Sequence, residues 1–286
     1  MENIISQRID DLALTTTLSD GTPCRTIAAL QVQQLADELG LAGRAVEVAA
    51  LKRQILPDRY LRNMKSLSMD EQVRLLESKV CIIGLGGLGG LVTDALARMG
   101  IGWFALVDGD RFEAHNLNRQ LLSGIDCLGM AKVEMAHRRV KAINPGIDVF
   151  TKADFLTPEN ADDLVASSDL VVDCLDNIKS RFTLESAAKR AGIPMISAAV
   201  AGISGHVTTI FPKDQGLERI YGPKKQLQRT KGAELQLGCL APGVNLIASL
   251  ECAEVLKVLL QKEGTLRNGF LAVDLADYTF EFFKLS

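Results

Sequence analysis

The chain has 286 residues, 47% hydrophobic and 23% charged, which suits one large α/β domain with a small appendage and excludes a disordered chain. Lys and Arg number 32 against 35 Asp and Glu, so the net charge is −3 and no basic excess recruits nucleic acid or an anionic membrane. No apolar run approaches a membrane span, and Met1-Glu2-Asn3 opens no signal peptide. Six cysteines (Cys24, Cys81, Cys127, Cys174, Cys239, Cys252) are scattered without a Cys-x-x-Cys pair. That argues against a disulfide framework or a four-thiolate zinc site and for a reducing cytoplasm.

Composition shifts once, near Pro57. Before it stand a polar opening, Met1 to Arg25, and a helical stretch, Thr26 to Gln54, patterned as helix–turn–helix. Leu35 and Ala36 sit mid-helix, Gly40 at the turn, and Val46, Val48 and Leu51 on the second helix. A DNA-reading second helix must be basic, yet only Arg44, Lys52 and Arg53 are available, with Glu47 opposing them. A small helical cap is expected over residues 1–56, ahead of a nucleotide-binding domain over 57–286.

From Lys79 onward, short apolar runs alternate with longer segments of helical period. Val80 to Ile83 is a buried-strand pattern, followed by glycines and a helix from about Gly89 to Arg98. Trp103 to Val107 is a second strand, and Lys132 to Ile143 is a helix stopped by Asn144-Pro145. Asp169 to Asp173, a helix from about Ser180 to Ala191, and a strand over Ile193 to Ala199 come next. Near-continuous apolar strands separated by helices predict an α/β fold with a parallel sheet covered on both faces. Gly205 to Phe211, Phe270 to Asp274 and Tyr278 to Phe283 alternate more and predict an antiparallel extension, while Gly243 to Leu260 is one long helix.

Gly84-Leu85-Gly86-Gly87-Leu88-Gly89 fits G-x-G-x-x-G directly after a strand and at the opening of a helix. Such glycines let the backbone turn tightly and approach a phosphate, and the helix N-terminus supplies oriented N–H donors. Asp108 closes the next strand, where a carboxylate can accept from ribose hydroxyls. These features serve NAD and ATP alike, so a nicotinamide-dependent oxidoreductase stays open at this point. Nucleotidyl transfer also needs cations and a carboxylate for Mg2+. Arg119 in Asn116-Leu117-Asn118-Arg119-Gln120, Lys132 at a helix start, and Asp176-Asn177 beyond the Asp169–Asp173 strand each follow a strand end.

The stretch from Arg59 to Phe283 resembles the ThiF/MoeB/HesA family, relatives of the ubiquitin-activating enzymes. The motifs are Arg59-Tyr60-Leu61-Arg62, the glycine loop, Val107-Asp108-Gly109-Asp110, Asn116 through Gln120, Gly129 through Lys132, Asp173-Cys174-Leu175-Asp176-Asn177, and Gly243 through Lys257, in that order. The resemblance implies a Rossmann-like doubly wound, mostly parallel sheet with an antiparallel extension. It also implies an enzyme that binds ATP with Mg2+ and adenylates the C-terminal Gly-Gly carboxylate of a small ubiquitin-like sulfur carrier protein, of the molybdopterin or thiamine type, releasing pyrophosphate. On the matching positions, Gly84, Gly86, Gly87 and Gly89 would line the nucleotide, and Asp108 would hold the ribose with Asp110 beside it. Asn116, Arg119, Gln120 and Lys132 would bind phosphates, Asp176 would coordinate the metal, and Asn177 beside it would contribute to cofactor binding. Arg62 resembles an arginine that reaches from one subunit into the other's ATP site, which implies a homodimer. No catalytic histidine is required, because the attacking carboxylate is already ionised at neutral pH. His115 adjoins the Asn116 run, while His137 and His206 read as helix and strand surface.

Two family features are missing. Pro212 to Leu237 contains no cysteine and the chain ends Phe282-Phe283-Lys284-Leu285-Ser286, so no zinc is expected. The loop at about Asp214 to Gly238 lacks the nucleophilic cysteine of some relatives. Cys239 at its end is open between a covalent nucleophile and a small packing residue, with packing favoured. A tRNA-base dehydratase of the same family is the nearest alternative activity. The patch Lys224, Lys225, Arg229 and Lys231 is the one local feature that would touch RNA, against the acidic overall balance.

Overall fold

The computed structural model describes residues 2–18, 20–227 and 232–285, so Arg229 and Lys231 of the basic patch lie outside the described residues. The N-terminal part mixes helix and sheet. After α1 (Glu2–Leu12), strands β1 (Leu14–Thr17) and β2 (Pro23–Ile27) pair antiparallel, with Gly21 at φ 86° in the turn. The helix–turn–helix expectation holds: α2 (Ala29–Leu39) ends on Gly40 at φ 64°, and α3 (Gly43–Lys52) follows. β3 (Ile55–Pro57) then adds in parallel to β2. The three-stranded sheet β1-β2-β3 is a correction to the purely helical cap. Its strands escape sequence reading because they are short, and Leu14-Thr15-Thr16-Thr17 carries no apolar alternation. Arg44 pairs with Asp148, Lys52 with Glu77 and Arg53 with Asp10, so the basic side chains around α3 are engaged within the protein itself.

Beyond it, α4 (Met69–Glu77) starts on a capping box, Ser68 Oγ accepting from Glu71 N–H at 3.2 Å and Glu71 Oε2 from Ser68 N–H at 2.8 Å. Then β4 (Lys79–Ile83), α5 (Gly87–Met99), β5 (Trp103–Val107), α6 (Lys132–Ile143), β6 (Asp148–Lys152), α7 (Ala161–Val165), β7 (Leu170–Asp173), α8 (Ile178–Ala191) and β8 (Met195–Ala201) alternate. β9 (Ser204–Ile210), the short helices α9 (Glu218–Tyr221) and α10 (Glu234–Leu237), the long α11 (Ala241–Leu259), β10 (Gly269–Asp274) and β11 (Thr279–Lys284) complete the chain. The main sheet has the order β11-β10-β9-β8-β7-β4-β5-β6. The run from β8 to β6 is parallel, and β8, β9, β10 and β11 pair antiparallel, as the strand patterns predict.

Helices α5, α6 and α11 cover one face around Val80, Ile82, Val92, Phe104 and Val255, and α7 and α8 cover the other around Cys81, Val171, Phe182 and Leu184. The chain leaves β4 towards β5 and β6 on one side and returns to β7 and β8 on the other. The order therefore reverses between β4 and β7, where doubly wound sheets form a ligand crevice at the strand tips. Among the described residues, no helix is long and apolar enough to cross a membrane.

Candidate active site

A cavity of about 820 Å3 opens at this reversal point. Gly84 leaves β4 at φ 91°, and a Cβ there would lie 2.6 Å from the carbonyl oxygen of Cys174, so the turn accepts only glycine. Gly86 and Gly87 line the cavity at the opening of α5. Gly89 does not line it. A Cβ there would lie 1.8 Å from Gly84 O, so its role is close packing of α5 onto the strand exit.

The carboxylate of Asp108 joins the glycine loop to the next turn. Oδ2 accepts from Leu85 N–H at 2.6 Å and Oδ1 from Asp110 N–H at 2.7 Å. Lys132, buried at the first turn of α6, donates from Nζ to Asp110 Oδ2 at 2.9 Å and lies 4.0 Å from Asp108 Oδ2. Asn116 Oδ1 accepts from Glu113 N–H at 3.0 Å, which folds the turn carrying Arg119 and Gln120 towards the cavity. Arg119 Nη1 donates to His115 O at 3.0 Å and to Asn118 Oδ1 at 2.8 Å. Gln120 is buried at the cavity wall, and its Oε1 has no hydrogen-bond partner among the described residues, a polar atom that a ligand can satisfy.

Asp176 is exposed on the loop after β7 and lines the same cavity. The loop is held from behind by Arg181, a residue that motif reading left out. Its buried guanidinium donates to Asp173 Oδ2 at 3.2 Å, to Ser197 Oγ at 3.4 Å, and to the carbonyls of Leu175 and Ala198. Asp173 also accepts from Leu175 N–H at 3.1 Å and from Ser197 Oγ–H at 2.6 Å. Asn177 points elsewhere: its Oδ1 accepts from Ser180 N–H at 3.2 Å and caps α8, outside the cavity lining. An Asn just ahead of a helical period is an N-cap signal.

On the β6 side, Asp154, Phe155 and Leu156 wall the cavity. Phe155 is 61% exposed, and its ring lies over Gly109, where a Cβ would come within 2.7 Å of it. The opposite arm runs over the antiparallel extension past His206, Tyr221, Phe270 and Phe283. His206 is a correction to the strand-surface expectation. Tyr221 OH and His206 Nε2 are 3.2 Å apart, and burial, seconded by the Arg181 charge, lowers the imidazole to about 4, so it is neutral at pH 7. His115 lines the cavity as well.

Cys239 also lines the cavity, yet burial pushes its thiol up, the reverse of what a resting thiolate nucleophile needs. Burial raises the carboxyl of Glu251 well above the carboxylate range, Asp173 adding to the effect, and it faces the Cys174 thiol at 4.0 Å. Arg62 is absent from the cavity of its own chain. It is exposed two residues beyond Tyr60, whose hydroxyl lies 2.7 Å from where a Cβ on Gly100 would stand, at the far end of α5 from the glycine loop. A helix of 13 residues makes that separation about 20 Å.

The fold and this crevice define a Rossmann-type α/β domain whose glycine loop shares one crevice with Arg119, Lys132 and Asp176. The chain belongs to the ThiF family, whose model matches residues 60–286. It is 33% identical over 226 residues to the SAMP-activating enzyme E1 of Haloferax volcanii, covering 78% of this chain and 83% of that protein. It is 33% identical over 208 residues to the sulfur carrier protein ThiS adenylyltransferase of Escherichia coli, covering 72% and 79%. The crystal structure of E. coli MccB with AMPCPP and MccA has a TM-score of 0.68 and 25% identity over 80% of this chain and 72% of that one. The crystal structure of PaaA, at 22% identity, shares the fold over 96% of this chain and 99% of that one with a TM-score of 0.65.

Proposed function

We propose that this protein adenylates the C-terminal glycine carboxylate of a small ubiquitin-like sulfur carrier protein, using ATP with Mg2+ and releasing pyrophosphate, and that it acts in the cytoplasm as a homodimer. Residues 1–56 are read as an N-terminal extension and 57–286 as the adenylation domain. The observation that carries the reading is one cavity holding the glycine loop, Arg119, Lys132 and Asp176 at one end and continuing over the antiparallel extension at the other. A hydride-transfer enzyme has no need of that phosphate-directed set. The names of the relatives, which include adenylyltransferases of sulfur carriers, support the same activity.

The chemistry follows from placement and charge. A carboxylate oxygen of the tail attacks the α-phosphorus, forming the acyl–phosphate bond as the bond from that phosphorus to the bridging pyrophosphate oxygen breaks. Repulsion between two anions is the main obstacle, and Arg119 and Lys132 lower it while stabilising the leaving pyrophosphate. Lys132 Nζ is held toward the crevice by its hydrogen bond to Asp110 Oδ2. No general base is needed, because the attacking carboxylate is already ionised at neutral pH. Among the described residues no three acidic, Cys or His side chains gather to hold a metal by themselves. Mg2+ takes one or two carboxylates plus substrate phosphates; Asp176, exposed at the cavity, would hold it, and the ion would neutralise phosphate charge. In this reading Arg62, which lies outside the cavity of its own chain, would come from a second copy of the chain.

Carrier-dependent exchange of labelled pyrophosphate into ATP tests the reading. Exchange by the wild type, lost in Asp176→Asn with an unchanged fold, is expected. Absence of exchange with every Gly-Gly carrier encoded beside the gene, together with binding of NAD(H) in place of ATP, would refute it.

A further inference from the structure

We infer that the N-terminal unit is part of the catalytic apparatus: Glu47 on α3 is a positioning residue that fixes the turn carrying Arg62, the arginine one subunit presents to the other. The inference rests on the reading of Arg62 given above and assigns a task to residues 2–57.

The turn leading to Arg62 is gripped by the N-terminal unit at successive points. Ile55, Leu56 and Pro57 are registered against Arg25, Thr26 and Ile27 in the small sheet. Asp58 Oδ1 then accepts from the N–H of Ala29, the first residue of α2, at 3.1 Å. Arg59 Nε lies 3.0 Å from Glu47 Oε1, and Arg59 Nη1 donates to Ile143 O at 3.1 Å. Tyr60, fully buried, donates its hydroxyl to Glu47 Oε2 at 3.2 Å. Asn144 Nδ2, at the end of α6, donates to Glu47 Oε2 at 3.2 Å and to Tyr60 OH at 3.3 Å.

Glu47 is itself fully buried, so one carboxylate from the N-terminal unit ties the residues before Arg62 to the nucleotide-binding domain. Stability alone does not call for such a group, since well-packed apolar residues often replace a buried ion pair without loss. What a carboxylate adds is a shared partner: it pairs by charge with Arg59 and accepts from Tyr60, and Arg62 follows two residues later. Arg62 is exposed and forms no ion pair among the described residues; this turn sets where its backbone stands. A fixed backbone narrows the positions from which an exposed arginine can reach the partner's phosphates, so less ordering remains to be lost on binding.

Glu47→Gln in the full-length protein keeps the volume and one acceptor while removing the charge opposite Arg59. Carrier-dependent exchange should lose roughly 10- to 100-fold in kcat with little change in KM for ATP, the scale expected of a misplaced charge. The decisive readout is subunit mixing. Asp176→Asn has an impaired site but an intact arginine arm, so mixing it with Glu47→Gln should restore activity. Unchanged kcat in Glu47→Gln, or no restoration on mixing while Arg62→Ala mixed with Asp176→Asn does restore, would overturn the role of Glu47 and leave that of Arg62 standing. Failure of the Arg62→Ala mixture as well would bring down the exchange of arginines and this inference with it. Should Glu47→Gln not fold, Asp58→Ala, which deletes the grip on Ala29, should show a smaller loss rescued in the same mixture, and no loss there would overturn the inference.

Discussion

Acidification should weaken this fold through His206 in a way that one substitution can isolate. The imidazole falls from 6.5 to about 4 in the folded protein because burial disfavours its charged form. Between those values the unfolded chain binds the extra proton and the folded chain does not, so stability is lost as pH falls through that window. Linkage puts the loss at ~2 kcal/mol at pH 5 relative to pH 8, approaching ~3 kcal/mol below pH 4. Glu47, Glu185 and Glu251 work in the opposite sense, since burial raises their carboxyls and acid relieves the cost of ionising them. The total slope therefore mixes signs, and the difference between wild type and His206→Gln carries the His206 contribution. Urea unfolding of both proteins at pH 8, 6.5 and 5 should show the wild type losing ~2 kcal/mol more than the variant across that range. Parallel losses would mean that His206 titrates normally and does not sit in a water-poor wall beside Tyr221.

Arg181→Met should leave Asp173 as an uncompensated buried charge and cost ~3–5 kcal/mol, read as a fall in melting temperature of roughly 10 °C, with Asp173→Asn in the same chain recovering part of it. A Cβ on Gly86 would lie 3.5 Å from Gln120 Nε2, so Gly86→Ala should fold normally and weaken ATP in calorimetry, whereas Gly84→Ala, strained at φ 91° against Cys174 O, should destabilise the fold by more than ~1 kcal/mol. Phe155→Ala should raise the Kd for ATP roughly tenfold if a base stacks on the exposed ring, at ~1.5 kcal/mol for an aromatic pair, while leaving KM for the carrier unchanged.

Strands buried on both faces were plain in the sequence, since Val80 to Ile83, Phe104 to Val107 and Leu170 to Val172 are unbroken apolar runs fully inside the core. β6 was not, because it is the sheet's edge and its residues range from half-buried to exposed. In the site, Asp176 was legible because a polar residue just after a parallel strand faces the crevice, a consequence of topology rather than of local pattern, whereas Arg119 and Lys132, well beyond the end of β5, came from the order of the motifs. Arg181 and His206 were not legible, since nothing local to either residue says that Asp173, Ser197 or Tyr221 will face it. Asn177 shows the opposite error: motif order suggested the ligand, and a helix cap explains the side chain.

Intact-mass spectrometry of the carrier after incubation with the enzyme, ATP and Mg2+ tests the central claim most directly. A carrier heavier by one adenylate, seen with the wild type, absent with Lys132→Ala and discharged by hydroxylamine at the C-terminal glycine, is the expected result. ATP consumed while the cognate carrier stays unmodified would contradict the account.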